Sequence, residues 1–235
     1  MAMREVVIVV TACVLLGSSE RSLASSERVV DWPQVVASYA QVKDYTSTYE
    51  KEERAISNGE LQRMRLYFRK PLDVRLEWLN DSDRVDQIAV YREGLNNGQL
   101  LARRMGAFGA LVGTLRLDPR SARALADSRH PITAVGIGHI INRIGDDMRR
   151  QRVFLRATVE DVLDGQPHDR FDFESPESVP LAGVEGARRG AAWIDRTIKL
   201  PVKVELVDAA GTVLERHRFK DLRLNVGLTD ARFTL

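Results

Sequence analysis

An alternation of apolar and charged side chains between Met64 and Leu79 constrains the fold of this chain more than any other feature. The stretch reads MRLYFRKPLDVRLEWL, and the turn-forming sequence Lys70-Pro71-Leu72 divides it into two halves. Every second residue on either side of this turn is apolar: Met64, Leu66, Phe68, Val74, Leu76 and Trp78. Because successive side chains of a strand point to opposite faces, this period predicts two antiparallel strands with one apolar and one polar face.

The charged residues of this strand pair carry both signs. Arg65 and Arg75 occur together with Asp73 and Glu77, and the exposed faces of antiparallel sheets are polar. We therefore interpret the charged face as a solvated exterior and not as a basic recognition strip. The whole sequence has 35 Lys and Arg against 33 Asp and Glu, a net charge of +2, which gives no support for a nucleic-acid partner.

Helical patterns occur before and after this strand pair. Asp31 is a suitable N-cap, with Pro33 in the first turn, for a helix that ends near Asp44. A second helix is predicted from Asp118-Pro119 to about residue 127. A third begins near Pro131, and its apolar residues recur at the spacing of one helix face: Ile137, Ile140, Ile141 and Ile144. We expect this apolar stripe to pack on the apolar face of the sheet.

Alternating segments elsewhere predict further strands, joined by turns at Asn96-Asn97-Gly98 and Ala210-Gly211. They cover residues 87–91, 98–103, 114–117, 153–162, 191–195, 202–207, 212–219 and 222–228. Residues 163–187 are predicted to form a polar loop. About ten strands result, within the accuracy of such boundaries, and an antiparallel sheet of that size is expected to curl. The sequence thus predicts an α+β fold with helices on one side of a curled antiparallel sheet.

The N-terminal segment has the pattern of an export signal. Arg4 precedes an apolar run over residues 6–16, and Ser22 and Ala24 occupy the positions that a signal peptidase reads. The apolar run is too short for a transmembrane helix. We expect residues 1–24 to be a cleaved signal peptide, which places the mature protein outside the cytoplasm.

Cys13 is the only cysteine in the sequence. Cleavage after residue 24 would remove it, so the mature protein would contain no disulfide. Alternatively, Val10-Thr11-Ala12-Cys13 resembles a lipobox, in which case Cys13 would carry a lipid anchor. Residues 25–235 contain no repeat or linker, and we expect them to form a single domain.

The sequence lacks the common motifs of catalysis and of metal or cofactor binding. Its four histidines form no HExxH motif and have no cysteine partner: His130, His139, His168 and His217. Gly136-Ile137-Gly138 begins like a dinucleotide-binding loop, but Ile141 stands where the third glycine belongs. No serine has a G-x-S-x-G context. We expect no metal site, no cofactor and no enzyme activity, with a hydrolase as an alternative and with His130 in a capping or surface role before Pro131.

Several stretches resemble a known group of proteins. Two of these stretches are RMRLYFRKPLDVRLEW and LPVKVELVDAAGTVLERHRFKDLRLNVGLTDARFTL. Together with the signal, the first helix and the central helices, they resemble the LolA-like superfamily of periplasmic lipoprotein carriers. A second resemblance rests on RLDPRSARALADSRHPITAVGIGHII and LNVGLTDARF. These two stretches resemble an uncharacterised bacterial family placed beside those carriers. The resemblance implies an incomplete β-barrel, or half-barrel, whose apolar concave face is covered by helices. It also implies a periplasmic location and a role as a lipoprotein chaperone, lipid carrier or envelope sensor.

A carrier function needs only an apolar cavity. Burying about fourteen methylenes at about 0.8 kcal/mol each contributes on the order of 11 kcal/mol before the costs of association. The predicted cavity lining comprises Met64, Leu66, Phe68, Val74, Leu76 and Trp78 on the sheet and Ile137, Ile140, Ile141 and Ile144 on the helix; the alternative is that these residues form a filled core. The expected partner is a lipid or the acyl chains of a lipoprotein, bound by a monomer. The alternative is an envelope sensor or protein-interaction module that binds an envelope membrane protein.

Overall fold

The computed structural model describes residues 31–57, 59–176 and 180–235. The predicted signal peptide over residues 1–24, including Cys13, lies outside the described residues. Within the described ranges, eleven strands form one antiparallel sheet in the order β6-β5-β4-β3-β2-β1-β11-β10-β9-β8-β7. The strands are β1 Asp44–Glu53, β2 Gln62–Arg69, β3 Asp73–Leu79, β4 Val85–Arg92, β5 Leu100–Arg104, β6 Leu115–Leu117, β7 Phe154–Leu163, β8 Gln166–Glu174, β9 Arg189–Asp195, β10 Pro201–Val207 and β11 Val213–Leu224.

The sheet consists of two meanders joined along one seam. Strands β1 to β6 form the first meander and β7 to β11 the second, and β1 pairs with β11 between them, with Tyr49 opposite Phe219. Strands β6 and β7 lie at opposite edges, so the curled sheet does not close into a barrel. The predicted α+β half-barrel is confirmed, and the inward side chains of both meanders share one large core.

Four α-helices accompany the sheet in the described ranges: α1 Trp32–Ala40, α2 Arg54–Ser57, α3 Gly106–Val112 and α4 Ile137–Arg149. Asp31 caps α1 as predicted, because its side chain accepts a hydrogen bond from the Gln34 N–H at 3.1 Å. Helix α4 buries Ile137, Ile141 and Ile144 in the large core. This confirms that its apolar stripe packs on the inner face of the sheet.

Two glycines let α4 approach the rest of the fold closely. Gly136 precedes the helix with φ of 113°, and a Cβ atom there would lie 2.6 Å from the Tyr45 hydroxyl. A Cβ atom on Gly138 would lie 2.3 Å from the Tyr39 hydroxyl on α1. The Gly-Ile-Gly sequence therefore serves helix packing, since any larger side chain would collide with a tyrosine.

Some predicted elements were wrong. Residues 119–127 form consecutive turns instead of a helix, and one continuous strand, β11, replaces the two strands predicted over 212–228. Strand β8 crosses the predicted polar loop over 163–187, and β1 was not predicted at all. Helix α3 lies in the glycine-rich segment over residues 105–113, where no helix was predicted.

The outer face of the first meander is partly covered by the C-terminal segment, residues 225–235. Phe233 is buried there in a small second core with Ile88 and Val90. Arg75 Nη1 donates to the Thr234 carbonyl oxygen at 2.7 Å, and the Arg75 side chain is only 13% exposed. The prediction that the charged face is exposed to solvent is therefore correct for Arg65, whose side chain is 48% exposed. It is wrong for Arg75, which the C-terminal segment covers.

Candidate functional site

A cavity of about 980 Å³ lies between the inner face of the sheet and helix α4. Apolar side chains from both meanders and from α4 line much of it: Met64, Leu76, Trp78, Ala89, Leu100, Ile140, Ile144, Val204, Leu206 and Phe219. Charged side chains also reach it, and several of them are exposed: Glu60, Asp86, Arg104, Arg120, Arg123 and Asp127. The cavity thus combines an apolar wall with a polar rim of mixed sign.

The predicted lining residues divide into two groups. Five of them line the cavity: Met64, Leu76, Trp78, Ile140 and Ile144. The other five are buried in the core beside it without lining it: Leu66, Phe68, Val74, Ile137 and Ile141. The inner face of the sheet therefore supplies both packed core and cavity wall. The alternation of apolar and polar residues assigns a residue to this face, but it does not tell whether the residue packs in the core or lines the cavity.

A cluster of charged and histidine side chains forms a second part of the cavity wall. Its members lie on β1, on β11 and in the loop before α4: Lys51, Glu53, His130, Glu215 and His217. In the register of β1 and β11, Lys51 is opposite His217, and Glu53 is opposite Glu215. Because residues two apart share a face of a strand, this register places all four strand residues on the inner face.

Glu215 is the centre of the hydrogen bonds in this cluster. Its Oε1 lies 2.9 Å from His130 Nε2 and 2.5 Å from His217 Nε2. Burial alone would raise the pKa of Glu215, but the hydrogen bonds and charges of the two histidines outweigh it and hold this pKa well below its usual value. His130 therefore contacts a buried carboxylate, and its predicted capping or surface role was wrong.

The other side of the His217 ring is fixed by Tyr49. The Tyr49 hydroxyl lies 2.6 Å from His217 Nδ1. Burial, with the nearby charges of Glu53 and Glu215, raises the pKa of Tyr49 well above its usual value. The phenol therefore stays protonated, and its contact with Nδ1 holds the ring so that Nε2 of His217 faces Glu215.

Glu53 lies beside this group and is almost completely buried, with 1% of its surface exposed. Its Oε2 accepts from the backbone N–H of Arg129 at 2.9 Å and from Lys51 Nζ at 3.3 Å. Burial lowers the pKa of Lys51, and the charge of Glu53 opposes that shift. One donor atom from each of Glu53, His130, Glu215 and His217 lies within 4.8 Å of the others, so this group could hold a metal ion.

Comparisons with known proteins identify the family. No curated protein matches the sequence. Residues 42–235 match the family described as protein of unknown function, DUF1571. The chain belongs to this family. This confirms the resemblance to an uncharacterised family that the sequence stretches indicated.

Solved structures of MucB share the fold at low identity. MucB matches with 17% identity and a TM-score of 0.53 over 87% of this chain and 62% of its own length. MucB in the MucA/MucB complex of Pseudomonas aeruginosa matches with 18% identity and a TM-score of 0.51, over 88% of this chain and 60% of its own. This chain thus spans less than two thirds of the MucB chains. A LolA superfamily protein from Nitrosomonas europaea also matches, with 10% identity, a TM-score of 0.33, and coverage of 88% of this chain and 99% of its own.

In the described ranges, no helix has both the length and the apolar character that crossing a membrane demands.

Proposed function

We propose that this protein binds a lipid, or the acyl chains of a lipoprotein, in the cavity under helix α4 and carries it through the periplasm without catalysis. The observation that carries this proposal is the cavity of about 980 Å³ with an apolar wall. Ligand cavities of about 300–1,000 Å³ accommodate small molecules, so this one is at the upper end of that range. Its apolar wall supplies non-directional contacts, which suit flexible chains of varied length.

A titration with a long-chain fatty acid tests this proposal. Trp78 lines the cavity, whereas Trp193 is buried on β9 outside the lining. A bound chain should therefore change the emission of Trp78 in a saturable way. The variant Trp78→Phe should lose most of this signal yet keep the ligand in native mass spectra, whereas Trp193→Phe should keep both. No saturable binding by the unaltered protein, in fluorescence and in mass spectra, would refute the proposal.

A second candidate function is a protein-interaction module of the envelope. Two observations favour it: the fold is shared with MucB, which is solved in complex with the periplasmic part of MucA, and helix α3 exposes apolar side chains. Leu111 is 85% exposed, and Val112 is 44% exposed. A photo-crosslinking residue at position 112, with Leu111 either kept or replaced, would test this function. Capture of one envelope protein that Leu111→Glu abolishes, with fatty-acid binding unchanged, would favour interaction through α3.

A further inference from the structure

We propose that Glu53, His130, Glu215 and His217 form a binding site for a divalent transition-metal ion of the Zn²⁺ type. This site lies in the polar wall of the cavity and is separate from the acyl-chain binding proposed above. Two imidazole nitrogens and two carboxylate oxygens are a donor set that Zn²⁺ accepts in tetrahedral coordination.

The separations of the donor atoms fit this coordination after small side-chain movements. Metal–ligand bonds of about 2.0–2.2 Å place tetrahedral donors about 3.4 Å apart. The four donor atoms already lie within 4.8 Å of one another. Two pairs in this group are in hydrogen-bond contact, Glu215 Oε1 with His217 Nε2 at 2.5 Å and with His130 Nε2 at 2.9 Å. Movements of about 1 Å therefore suffice, and an ion would replace the hydrogen bonds that now join these atoms.

The backbone of the site is held by strand pairing. Glu53 and Glu215 are directly opposite in the register of β1 and β11, and His217 follows on the same face of β11. His130 comes from the loop before α4, where Ser128 Oγ donates to the His130 carbonyl oxygen at 2.8 Å. Three donors thus lie on adjacent strands, which position metal ligands more accurately than loops do.

Tyr49 supplies the second contact that metal-binding histidines usually make. Its hydroxyl lies 2.6 Å from His217 Nδ1, so Nε2 faces the other donors. Such outer contacts fix the orientation and tautomer of the imidazole, and their removal weakens metal affinity about 10- to 100-fold. A bound ion would require the tautomer in which Nδ1 donates to the Tyr49 oxygen.

The charge of the buried carboxylates also favours a cation. Glu215 is 4% exposed, and its Oε2 makes no hydrogen bond within the described ranges, although Arg129 Nε lies 3.6 Å away. Lys51 lies near Glu53 and would compete with an ion for that carboxylate. Burying ionised groups is costly unless their charges are compensated. A divalent ion in this position would bind Oε1 or Oε2 of Glu215 directly and compensate the carboxylate charge.

Zinc titration of tag-free, metal-stripped protein tests the site. We expect one Zn²⁺ per chain by calorimetry and a melting temperature that rises with Zn²⁺ concentration. His130→Gln and His217→Gln should each weaken the affinity at least 10-fold, and Tyr49→Phe should weaken it about 10- to 100-fold. The matched control is His139→Gln, because His139 also lines the cavity but is not one of the four donors. The Zn²⁺ affinity of His139→Gln should equal that of the unaltered protein.

X-ray absorption on the zinc-loaded unaltered protein gives a second test, which does not depend on any variant folding. Two imidazole nitrogens at about 2.0–2.1 Å are expected, with oxygen donors completing the coordination. Absence of a one-to-one complex, or a complex without imidazole scattering, would overturn the proposal. The same conclusion would follow if His130→Gln and His217→Gln bound Zn²⁺ as tightly as His139→Gln.

Discussion

Tyr45 accepts a hydrogen bond at its hydroxyl from the backbone N–H of Ile137, at a distance of 3.0 Å, and thereby joins the first turn of α4 to β1. The Tyr45 side chain is completely buried and stacks on Phe68, with ring centroids 5.0 Å apart. A helix N-terminus has backbone N–H groups without partners inside the helix, and Tyr45 satisfies one of them. The helix that covers the cavity is therefore attached to the sheet through a polar contact within the core.

We expect Gly138→Ala to destabilise the protein by about 1–3 kcal/mol. The new Cβ atom would lie 2.3 Å from the Tyr39 hydroxyl, and the Tyr39 ring is held by Lys70, whose Nζ lies 4.2 Å from the ring centroid. In an unobstructed helix the same change would stabilise by up to about 1 kcal/mol, so the steric contact decides the sign. Urea unfolding measures the difference, with Asn142→Ala on the exposed side of α4 as the control. An unchanged or higher stability of Gly138→Ala would contradict this packing.

Strand β2 could be predicted from the sequence because its inward residues are apolar. Met64, Leu66 and Phe68 on β2 alternate clearly with charged neighbours, and their strand was located within a few residues. Strand β1 has the opposite character, because Lys51 and Glu53 point inward where apolar residues are expected. Strand β11, which pairs with β1 here, is more than 160 residues away in the sequence. The Asp127 carbonyl oxygen and the Arg129 N–H, which bind Lys51 and Glu53, are 76 residues away, so a local pattern does not reveal this burial.

The polar cluster was missed for the same reason. Glu53, His130 and Glu215 come from three distant segments, and only the pairing of β1 with β11 brings the two carboxylates together. One local signal was present: Glu215 and His217 stand two residues apart on a predicted strand and therefore share a face. An acidic residue and a histidine two residues apart, in a strand whose other inward residues are apolar, could have indicated a polar part of the cavity wall.

Replacing Arg75 should have a much larger effect on stability than replacing Arg63. Arg75 lies under the C-terminal segment and donates to Glu77 Oε1 and to the Thr234 carbonyl oxygen, both at 2.7 Å. Its loss leaves these acceptors without a charged donor, which costs about 1.5–3 kcal/mol. Arg63 pairs with the exposed Asp83, and such surface pairs contribute less than about 1 kcal/mol. Chemical denaturation of Arg75→Gln and Arg63→Gln measures both, and equal effects would mean that the C-terminal segment does not cover Arg75.

Acid stability should depend on Glu205. Burial alone would raise the pKa of Glu205, but hydrogen bonds from Lys203 and Arg216 outweigh it and lower this pKa below the ordinary value of 4.5. The folded state thus favours the ionised form, so the stabilisation is present above about pH 4.5 and is lost as the pH falls through the folded-state pKa. Unfolding free energies measured from pH 7 to pH 3 should fall less steeply for Glu205→Gln than for the unaltered protein. Glu185→Gln, on an exposed turn, is the control, and parallel curves for all three proteins would disprove the coupling.

Leu66 and Leu76 provide a matched pair for separating core from cavity. They are directly opposite on β2 and β3 and share the inner face, yet only Leu76 lines the cavity. Leu66→Ala should cost about 2–5 kcal/mol, because truncation in a packed core leaves a void. Leu76→Ala should cost less in the ligand-free protein, since part of its side chain faces space where no packing contacts are lost.

Enlarging the same two residues should give the complementary result. Leu66→Trp should overpack the core and lower the melting temperature strongly. Leu76→Trp should extend into the cavity, leave the melting temperature nearly unchanged and weaken the binding of a fluorescent fatty acid. Thermal melting and probe titration of all four variants measure these effects. Equal destabilisation by Leu66→Ala and Leu76→Ala, together with severe destabilisation by Leu76→Trp, would show that this part of the inner face is packed core. The acyl-chain site would then have to lie elsewhere in the protein.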